Sequence, residues 1–166
     1  MRWDLLEKFE ILRRGDFARA LKRFSGKENF FKDHFPTKPL VPEVLFVEMI
    51  AQVGGVLYGL GFDFKKEVIL AKVSSARFLR PVSPPCSLVV EARVEDEREE
   101  GAVITGVVKE NGILAAEARI LLVTMDSLSG ENGKCIVFSE NFLKQFDIYR
   151  VVEMSLPTSR QARAMR

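Results

Sequence analysis

The sequence predicts an α+β domain in which an antiparallel sheet curls around one long helix. Residues 42–60 are apolar on nearly every side and long enough for one helix, and segments with alternating apolar and polar residues flank them. A helix that is apolar all round must be enclosed, and an antiparallel sheet with one apolar face is the most economical enclosure. The chain has 166 residues, of which 47% are hydrophobic, which suits a single domain with a substantial core.

The elements before the predicted helix are a hairpin and a proline-rich loop. Residues 9–24 read as two short strands joined by a glycine turn. In the loop that follows, Pro36, Pro39 and Pro42 each restrict the residue before them, so residues 34–41 are expected to be extended and stiff. Pro42 then suits the first turn of the helix, where its missing N–H group is no loss.

The sequence after the helix predicts four strands of a meander. Apolar and polar residues alternate in these segments, as expected for strands with one buried face. The Asn111–Gly112 pair between the last two segments is the strongest short-range signal for a hairpin. The predicted strands are residues 68–78, 87–97, 102–110 and 113–125.

Residues 1–125 are therefore predicted to form one domain, and residues 126–166 a C-terminal extension. The extension begins with a glycine-containing loop and is predicted to form a short helix over residues 139–154, with Ser139 as its N-cap. The last eleven residues contain three arginines and no acid, and are predicted to be disordered. The aromatic face of the predicted helix consists of Phe142, Phe146 and Tyr149.

Composition favours neither nucleic-acid binding nor membrane insertion. The net charge is +2, which is too small an excess to indicate a nucleic-acid partner. Residues 40–62 are long enough to be considered as a membrane span, but each of their carboxylates would cost about 3 kcal/mol at the bilayer centre. A buried core helix is therefore predicted instead of a membrane span.

The cysteines and the N-terminus favour a cytoplasmic protein. Cys86 and Cys135 lie 49 positions apart with no histidine near either, which fits neither a metal cluster nor a disulfide framework. Reduced thiols are therefore expected. The first ten residues contain acids and lack a long apolar core, so they are not predicted to be a secretory signal.

Two polar side chains interrupt the apolar helix. Glu48 and Gln52 are the strongly polar residues between positions 44 and 58, and their spacing of four places them on one face. Burying a carboxylate without a partner is costly or forces it to take up a proton. Glu48 is therefore either a structural residue that caps backbone groups or pairs with an arginine, or a functional acid.

His34 is the single histidine and lies in the loop that leads into this helix. A lone loop histidine is commonly a structural or surface group, but here the helix that follows presents Glu48. Imidazole is a base near neutral pH, and a desolvated carboxylic acid can hold a proton there. Free N–H groups near Pro42, Glu43 and Val44 would attract a carbonyl oxygen that gains negative charge. Together these groups favour removal of a proton alpha to a carbonyl, followed by loss of a beta substituent.

The stretch HFPTKPLVPEVLFVEMIAQ, residues 34–52, resembles the active-site signature of the (3R)-hydroxyacyl-acyl-carrier-protein dehydratases. The usual form of that signature is H-F-P-G-x-P-x-x-P-G-x-L-x-x-E-x-x-x-Q, and the step of 14 residues from histidine to glutamate is the same here. The segments ARFLRPVSP, residues 76–84, and NGILAAEARILL, residues 111–122, are similar to two further parts of the family. The resemblance covers residues 5–125.

The resemblance implies a hotdog fold, which is a curved antiparallel sheet around one central helix, paired into a homodimer or a larger assembly of dimers. It implies that His34 removes the C2 proton of a 3-hydroxyacyl thioester and that Glu48 of the partner subunit protonates the departing C3 hydroxyl. The acyl group would arrive on the phosphopantetheine of an acyl carrier protein or on coenzyme A, and the product would be a trans-2-enoyl thioester. No metal or redox cofactor is implied. The implied substrate-binding positions are Phe35, Glu43, Val44 and Gln52.

Two glycines of the family signature are replaced, by Thr37 and by Glu43. The second replacement matters more, because the N–H of residue 43 is expected to hold the thioester carbonyl and its carboxylate adds negative charge nearby. Two alternatives therefore stay open. One is a hotdog thioesterase that uses Glu48 to activate water, and the other is a non-catalytic binding protein of a carrier-protein assembly.

Two pairs of residues also have open interpretations. Arg77 and Arg80 either meet the acidic surface of a carrier protein or form a solvated strand end. Gly54 and Gly55 lie in the middle of the predicted helix, where each costs up to about 1 kcal/mol relative to alanine. They either let a strand pass close to the helix or leave room for an acyl chain.

Overall fold

The computed structural model describes residues 5–98, 101–125 and 137–156. These residues form six strands, two short C-terminal helices and one long central helix, with a single 3-10 turn before the central helix. The 3-10 turn is Asn29–Lys32, within the segment that was predicted to be a loop. The strands are β1 (Lys8–Arg13), β2 (Phe17–Phe24), β3 (Glu67–Phe78), β4 (Cys86–Arg98), β5 (Gly101–Glu110) and β6 (Ile113–Met125), and the helices are α1 (Val44–Leu60), α2 (Glu140–Gln145) and α3 (Ile148–Ser155).

The strands form one antiparallel sheet in the order β1-β2-β4-β5-β6-β3. All four predicted meander strands are confirmed to within one residue at each end. At the predicted hairpin, Glu110 pairs with Ile113, and Asn111 and Gly112 both have positive φ, as a two-residue primed turn requires. The strand β3 follows α1 in sequence but lies at the far edge of the sheet, so α1 is the crossover that spans its face.

The sheet curls around α1, which confirms the predicted α+β class. Met49, Ile50 and Leu57 on α1 are fully buried, and they belong to one core with residues of the central strands such as Val90 and Ile120. The alternation of strand residues supplies the apolar wall that the helix requires. None of the helices in the described ranges combines the length and apolarity that crossing a bilayer requires.

One stripe of α1 is not covered by the sheet. Val44 is 70% exposed, Glu48 is exposed and Gln52 is half-buried. Their spacing of four residues places them on one side of the helix, and we call these three residues the open stripe. The prediction that Glu48 is buried is therefore wrong for the single chain, because strands β2 to β6 pack on other sides of the helix and leave this one free.

The two glycines in α1 have different surroundings. A Cβ atom on Gly54 would lie 2.8 Å from Cγ2 of Ile104, so the helix and strand β5 approach each other as closely as a glycine allows. A Cβ atom on Gly55 would meet no atom within 4 Å. Each predicted alternative therefore fits one of the two glycines. Gly54 allows a strand to pass close to the helix, and Gly55 borders open space.

The C-terminal extension forms two helices instead of the single predicted helix over 139–154. Ser139 is the N-cap as predicted, and its hydroxyl accepts a hydrogen bond from the N–H of Phe142. The first helix ends at Gln145, and Asp147, whose φ of 49° is left-handed, is incompatible with one continuous helix. This break lets Phe146 and Ile148 both turn into the core, while Tyr149, predicted to share a face with Phe146, is 56% exposed.

The extension packs on the core at both ends of its described part. The N–H of Val137 donates to the buried carboxylate of Glu67 at 3.0 Å, and the N–H of Leu12 in β1 donates to the hydroxyl of Ser155 at 2.9 Å. The second bond satisfies a donor on the outer edge of the sheet. The predicted loop at 126–134, Cys135 and the predicted disordered tail beyond Leu156 lie outside the described residues.

Adjacent glycines with opposite surroundings predict opposite effects on stability. Gly54→Ala is expected to lower the free energy of unfolding by about 1–3 kcal/mol, because the new methyl group overlaps the buried side chain of Ile104. Gly55→Ala is expected to raise it by about 0.5–1 kcal/mol, because alanine is the better helix former and no atom opposes its methyl group. Urea unfolding at one protein concentration measures both, and an equal effect of the two variants would contradict the packing described.

Candidate active site

The His34 loop is closed by two hydrogen bonds between its end residues. The N–H of Leu40 donates to the carbonyl of His34 at 3.0 Å, and the carbonyl of Leu40 lies 3.2 Å from Nδ1 of the His34 ring. Within the loop, the N–H of Lys38 donates to the carbonyl of Phe35, which makes a turn with Pro36 at its second position. The loop is non-helical as predicted, but it is folded back on itself where an extended course was expected.

This loop determines which nitrogen of His34 can act as a base. A carbonyl oxygen only accepts, so the bond to Leu40 requires a hydrogen on Nδ1. In the neutral ring, the lone pair is then on Nε2. The ring also stacks on that of Phe35, with centroids 4.4 Å apart, and His34 is half-buried. The imidazole is thereby fixed in one tautomer and supported on one face.

The N-terminus of α1 lies next to this loop and has free amide donors. The N–H of Val41 is bound by the carbonyl of Val82, which fixes the approach to the helix. In the described residues, neither the N–H of Glu43 nor that of Val44 donates to another backbone group. Free N–H groups at a helix start, aligned with its dipole, bind an oxygen that carries negative charge. The predicted oxyanion donors therefore make no backbone hydrogen bond to the part of the chain that the structure describes.

The replaced glycines lie in conformations that any residue can adopt. Glu43 has φ −64° and ψ −27°, and its exposed side chain makes no capping bond. Thr37 is not among the described residues with positive φ. Neither replacement therefore strains the backbone, and the remaining difference from the family signature is the negative charge of Glu43.

Glu48 and Gln52 are joined to each other on the open stripe. Nε2 of Gln52 donates to Oε1 of Glu48 at 2.9 Å, as expected for residues four apart on a helix. Both line a groove between α1 and β3 that does not include His34. Within one chain, the structure thus assembles His34 with the helix N-terminus, and Glu48 with Gln52, but it does not bring His34 and Glu48 into one cavity.

Other candidate groups are held in structural contacts. Arg77 is paired with Glu117 at 2.9 Å on the exposed strand end, and Arg80 is paired with Glu110 at 2.8 Å, so both guanidinium groups have a partner within the chain. Burial, reinforced by the charge of Glu110, raises the pKa of the Cys86 thiol to about 11, so this thiol is not an available nucleophile. Among the described residues, no three His, Cys, Asp or Glu side chains are grouped so that they could hold a metal ion.

Leu40 is a site residue that sequence reasoning missed. Its role lies in its carbonyl group, and its aliphatic side chain gives no signal of that role. The spacing of Pro36 and Pro39 is the feature that could have indicated it, because prolines at these positions favour a turn that returns the chain towards His34.

Known proteins resemble this chain in sequence and in fold. The FabA-like domain family matches residues 5–119. The 3-hydroxyacyl-[acyl-carrier-protein] dehydratases FabZ of Pectobacterium atrosepticum and Proteus mirabilis are each 38% identical over 120 residues, which covers 70% of this chain and 80% of each relative. The crystal structure of smu.793 from Streptococcus mutans bound to acetyl CoA superposes with a TM-score of 0.59 at 11% identity, over 75% of this chain and 93% of that one. That likeness shows the fold alone.

The sheet that curls around α1 is therefore the hotdog fold, as the resemblance implied. The signature residues His34 and Glu48 lie in it at the loop and helix positions described above. On the family match and the curated relatives together, the chain belongs to the FabA-like domain family and, within it, to the 3-hydroxyacyl-acyl-carrier-protein dehydratases.

Proposed function

We propose that this protein is a hydro-lyase of fatty-acid synthesis that converts a (3R)-3-hydroxyacyl thioester on acyl carrier protein to the trans-2-enoyl thioester and water. The observation that carries the proposal is the bond between Nδ1 of His34 and the carbonyl of Leu40, because it leaves Nε2 as the base. Both curated relatives named above are dehydratases of this type, which supports the same reaction here. The thioesterase alternative is not favoured, since it gives no role to an oriented His34.

The reaction uses acid–base chemistry that needs no metal or redox cofactor. Nε2 of His34 takes the C2 proton, and the electron pair of the C–H bond moves towards the thioester carbonyl. The N–H groups of Glu43 and Val44 stabilise the negative charge that develops on the carbonyl oxygen. Glu48 donates its proton to the C3 hydroxyl, which leaves as water as the double bond forms. Phe35 and Gln52 are assigned to substrate binding, as supports of the base and the acid respectively.

A homodimer is part of this proposal, because one chain separates the base from the acid. Strand β3 is the sheet edge that α3 does not cover, and it exposes Leu70, Val73 and Phe78. A long apolar edge strand is a template for pairing with a second chain. Pairing along β3 would enclose the open stripe and supply Glu48 to the His34 site of the other subunit. Removing a carboxylic acid from water favours its protonated form, which a general acid requires.

The acyl carrier is proposed from the relatives. The FabZ proteins are by name enzymes of acyl-carrier-protein substrates, and the Streptococcus mutans structure is bound to acetyl CoA. Both carriers end in the same phosphopantetheine thiol, so the reacting atoms would be identical. We propose acyl carrier protein as the carrier in the cell, in the cytoplasmic compartment.

Removal of the base is expected to abolish most of the activity. His34→Ala should lower kcat/KM for a 3-hydroxyacyl carrier-protein thioester by about 10²–10⁴-fold, which is the usual contribution of general acid–base catalysis. Enoyl absorbance measures the product. Lys38→Ala, in the same loop but exposed, is the control for changes in loop structure. No turnover by the wild type, or undiminished turnover by His34→Ala, would contradict the proposed function.

Mixing two inactive variants tests whether the site is shared between subunits. A mixed dimer of His34→Ala and Glu48→Gln contains one site with His34 intact in one chain and Glu48 intact in the other. Subunit exchange between equal amounts should restore about a quarter of wild-type activity, because half of the dimers are mixed and each has one working site of two. If both residues acted within one chain, every site in the mixture would lack one group. Activity that stays at the level of the separate variants would then exclude the shared site.

The charge at the replaced glycine is expected to reduce the rate. Glu43→Gln should raise kcat/KM about 2–5-fold at low ionic strength, because a negative charge at a helix N-terminus opposes binding of a developing oxyanion by a fraction of a kcal/mol. The gain should shrink as salt is added. Glu153→Gln, at an exposed position on α3, is the matched charge control. An equal effect of both substitutions would show that the total charge matters and not the position of Glu43.

A further inference from the structure

The groove beside the open stripe is a cavity of about 540 Å³ between α1, β3 and the C-terminal extension. This volume is within the range of small-molecule sites. Its polar residues are Glu48, Gln52 and Gln145, and the rest of its lining is apolar. Gly55 faces it with open space where a side chain would be. Glu48 and Gln52 are bonded to each other on α1, whereas Gln145 belongs to α2 of the extension. An apolar channel that begins at the acid fits an acyl chain whose reactive end lies there.

The direction of the groove follows from the positions along α1. Glu48 and Gly59 are eleven residues apart, which corresponds to about 16 Å along the helix axis. A Cβ atom on Gly59 would lie 2.7 Å from the ring of Phe138, so the extension packs against the C-terminal end of α1. Phe138 of the extension is therefore placed about three helical turns beyond the acid along α1.

We propose that the C-terminal extension forms the end wall of this groove and sets the longest acyl chain that the enzyme accepts. The wall is built from Phe138 and Phe142, which both line the groove. The inference rests on the proposed function, since it takes Glu48 as the acid next to which the reacting carbons lie. It extends that function by naming a specificity-determining segment that begins after the family match, which ends at residue 119.

The wall is held firmly enough to give a sharp limit on chain length. The Phe142 ring lies 6.1 Å from that of Phe138 and 4.9 Å from that of Phe146, which in turn packs edge-on against Phe9 of β1. The hydrogen bond from Val137 to buried Glu67 fixes the start of the described segment. A chain that reaches this wall would have to displace several packed rings, so longer substrates should lose rate abruptly.

Two variants test the wall from opposite directions. Phe142→Ala removes a half-buried ring and should extend the accepted length, and Gly55→Leu fills the middle of the groove and should shorten it. With 3-hydroxyacyl carrier-protein thioesters of increasing length, the long-to-short ratio of kcat/KM is expected to rise at least about tenfold in the first variant and to fall by as much in the second. Met154→Ala, exposed on α3 and outside the groove, is the control and should keep the wild-type profile.

A binding experiment separates this inference from the proposed function. S-alkyl coenzyme A thioethers cannot react, and their affinity should increase with alkyl length up to the wild-type limit and then stop increasing. That limit should move to longer chains in Phe142→Ala and to shorter ones in Gly55→Leu. Such shifts without any turnover would support the proposed end wall and contradict the proposed dehydratase function. Turnover with the same dependence on chain length in both variants and the wild type would support the proposed dehydratase function and contradict the proposed end wall.

Discussion

The enclosure of α1 by a single curved sheet is the constraint on which the rest of this structure depends. The helix is apolar on most sides, so it is stable in water only where strands cover it. Strands β2 to β6 pack on it and leave the open stripe uncovered, and that stripe carries Glu48 and Gln52 in an otherwise apolar helix. Because no strand covers this side of α1, the polar pair Glu48 and Gln52 stays in contact with water in the single chain and pays no desolvation cost. The groove and the proposed site both begin there.

The proposed base, His34, is oriented by main-chain geometry. Two bonds between His34 and Leu40 close the loop, so the orientation of the ring and its tautomer are determined together. The loop is in turn attached to the sheet end through Val41 and Val82, immediately before α1 begins. The imidazole and the free amides at the helix N-terminus are thus positioned by one short, rigid connection. This placement explains how Thr37 and Glu43 can replace glycines, since the rigid loop requires a positive φ at neither residue.

Local patterns predicted most of the fold. The strands and the Asn111–Gly112 turn were found because alternation and turn chemistry act over a few residues. The exposure of Glu48 was not predicted, because it depends on where the sheet ends around the helix, which no local pattern records. The break at Asp147 was missed for a similar reason, since burial of the residues on either side of it outweighs the preference for a continuous helix. For the site, residue types and spacing indicated His34 and Glu48. The role of the Leu40 carbonyl could be seen only in the folded chain, because it depends on the path of the loop.

The two edges of the sheet are treated differently, and the difference has a physical reason. At the β1 edge, the chain's own α3 packs beside the strand, and Ser155 accepts a bond from Leu12, so this edge is no longer available to another strand. At the β3 edge, apolar residues are exposed along a strand of 12 residues. The chain thus covers one edge with its own extension and leaves the other edge free to pair with a second strand. In the proposed dimer, association there would place the open stripe, and with it Glu48, at the interface, so pairing along this edge would also complete the chemistry that one chain divides.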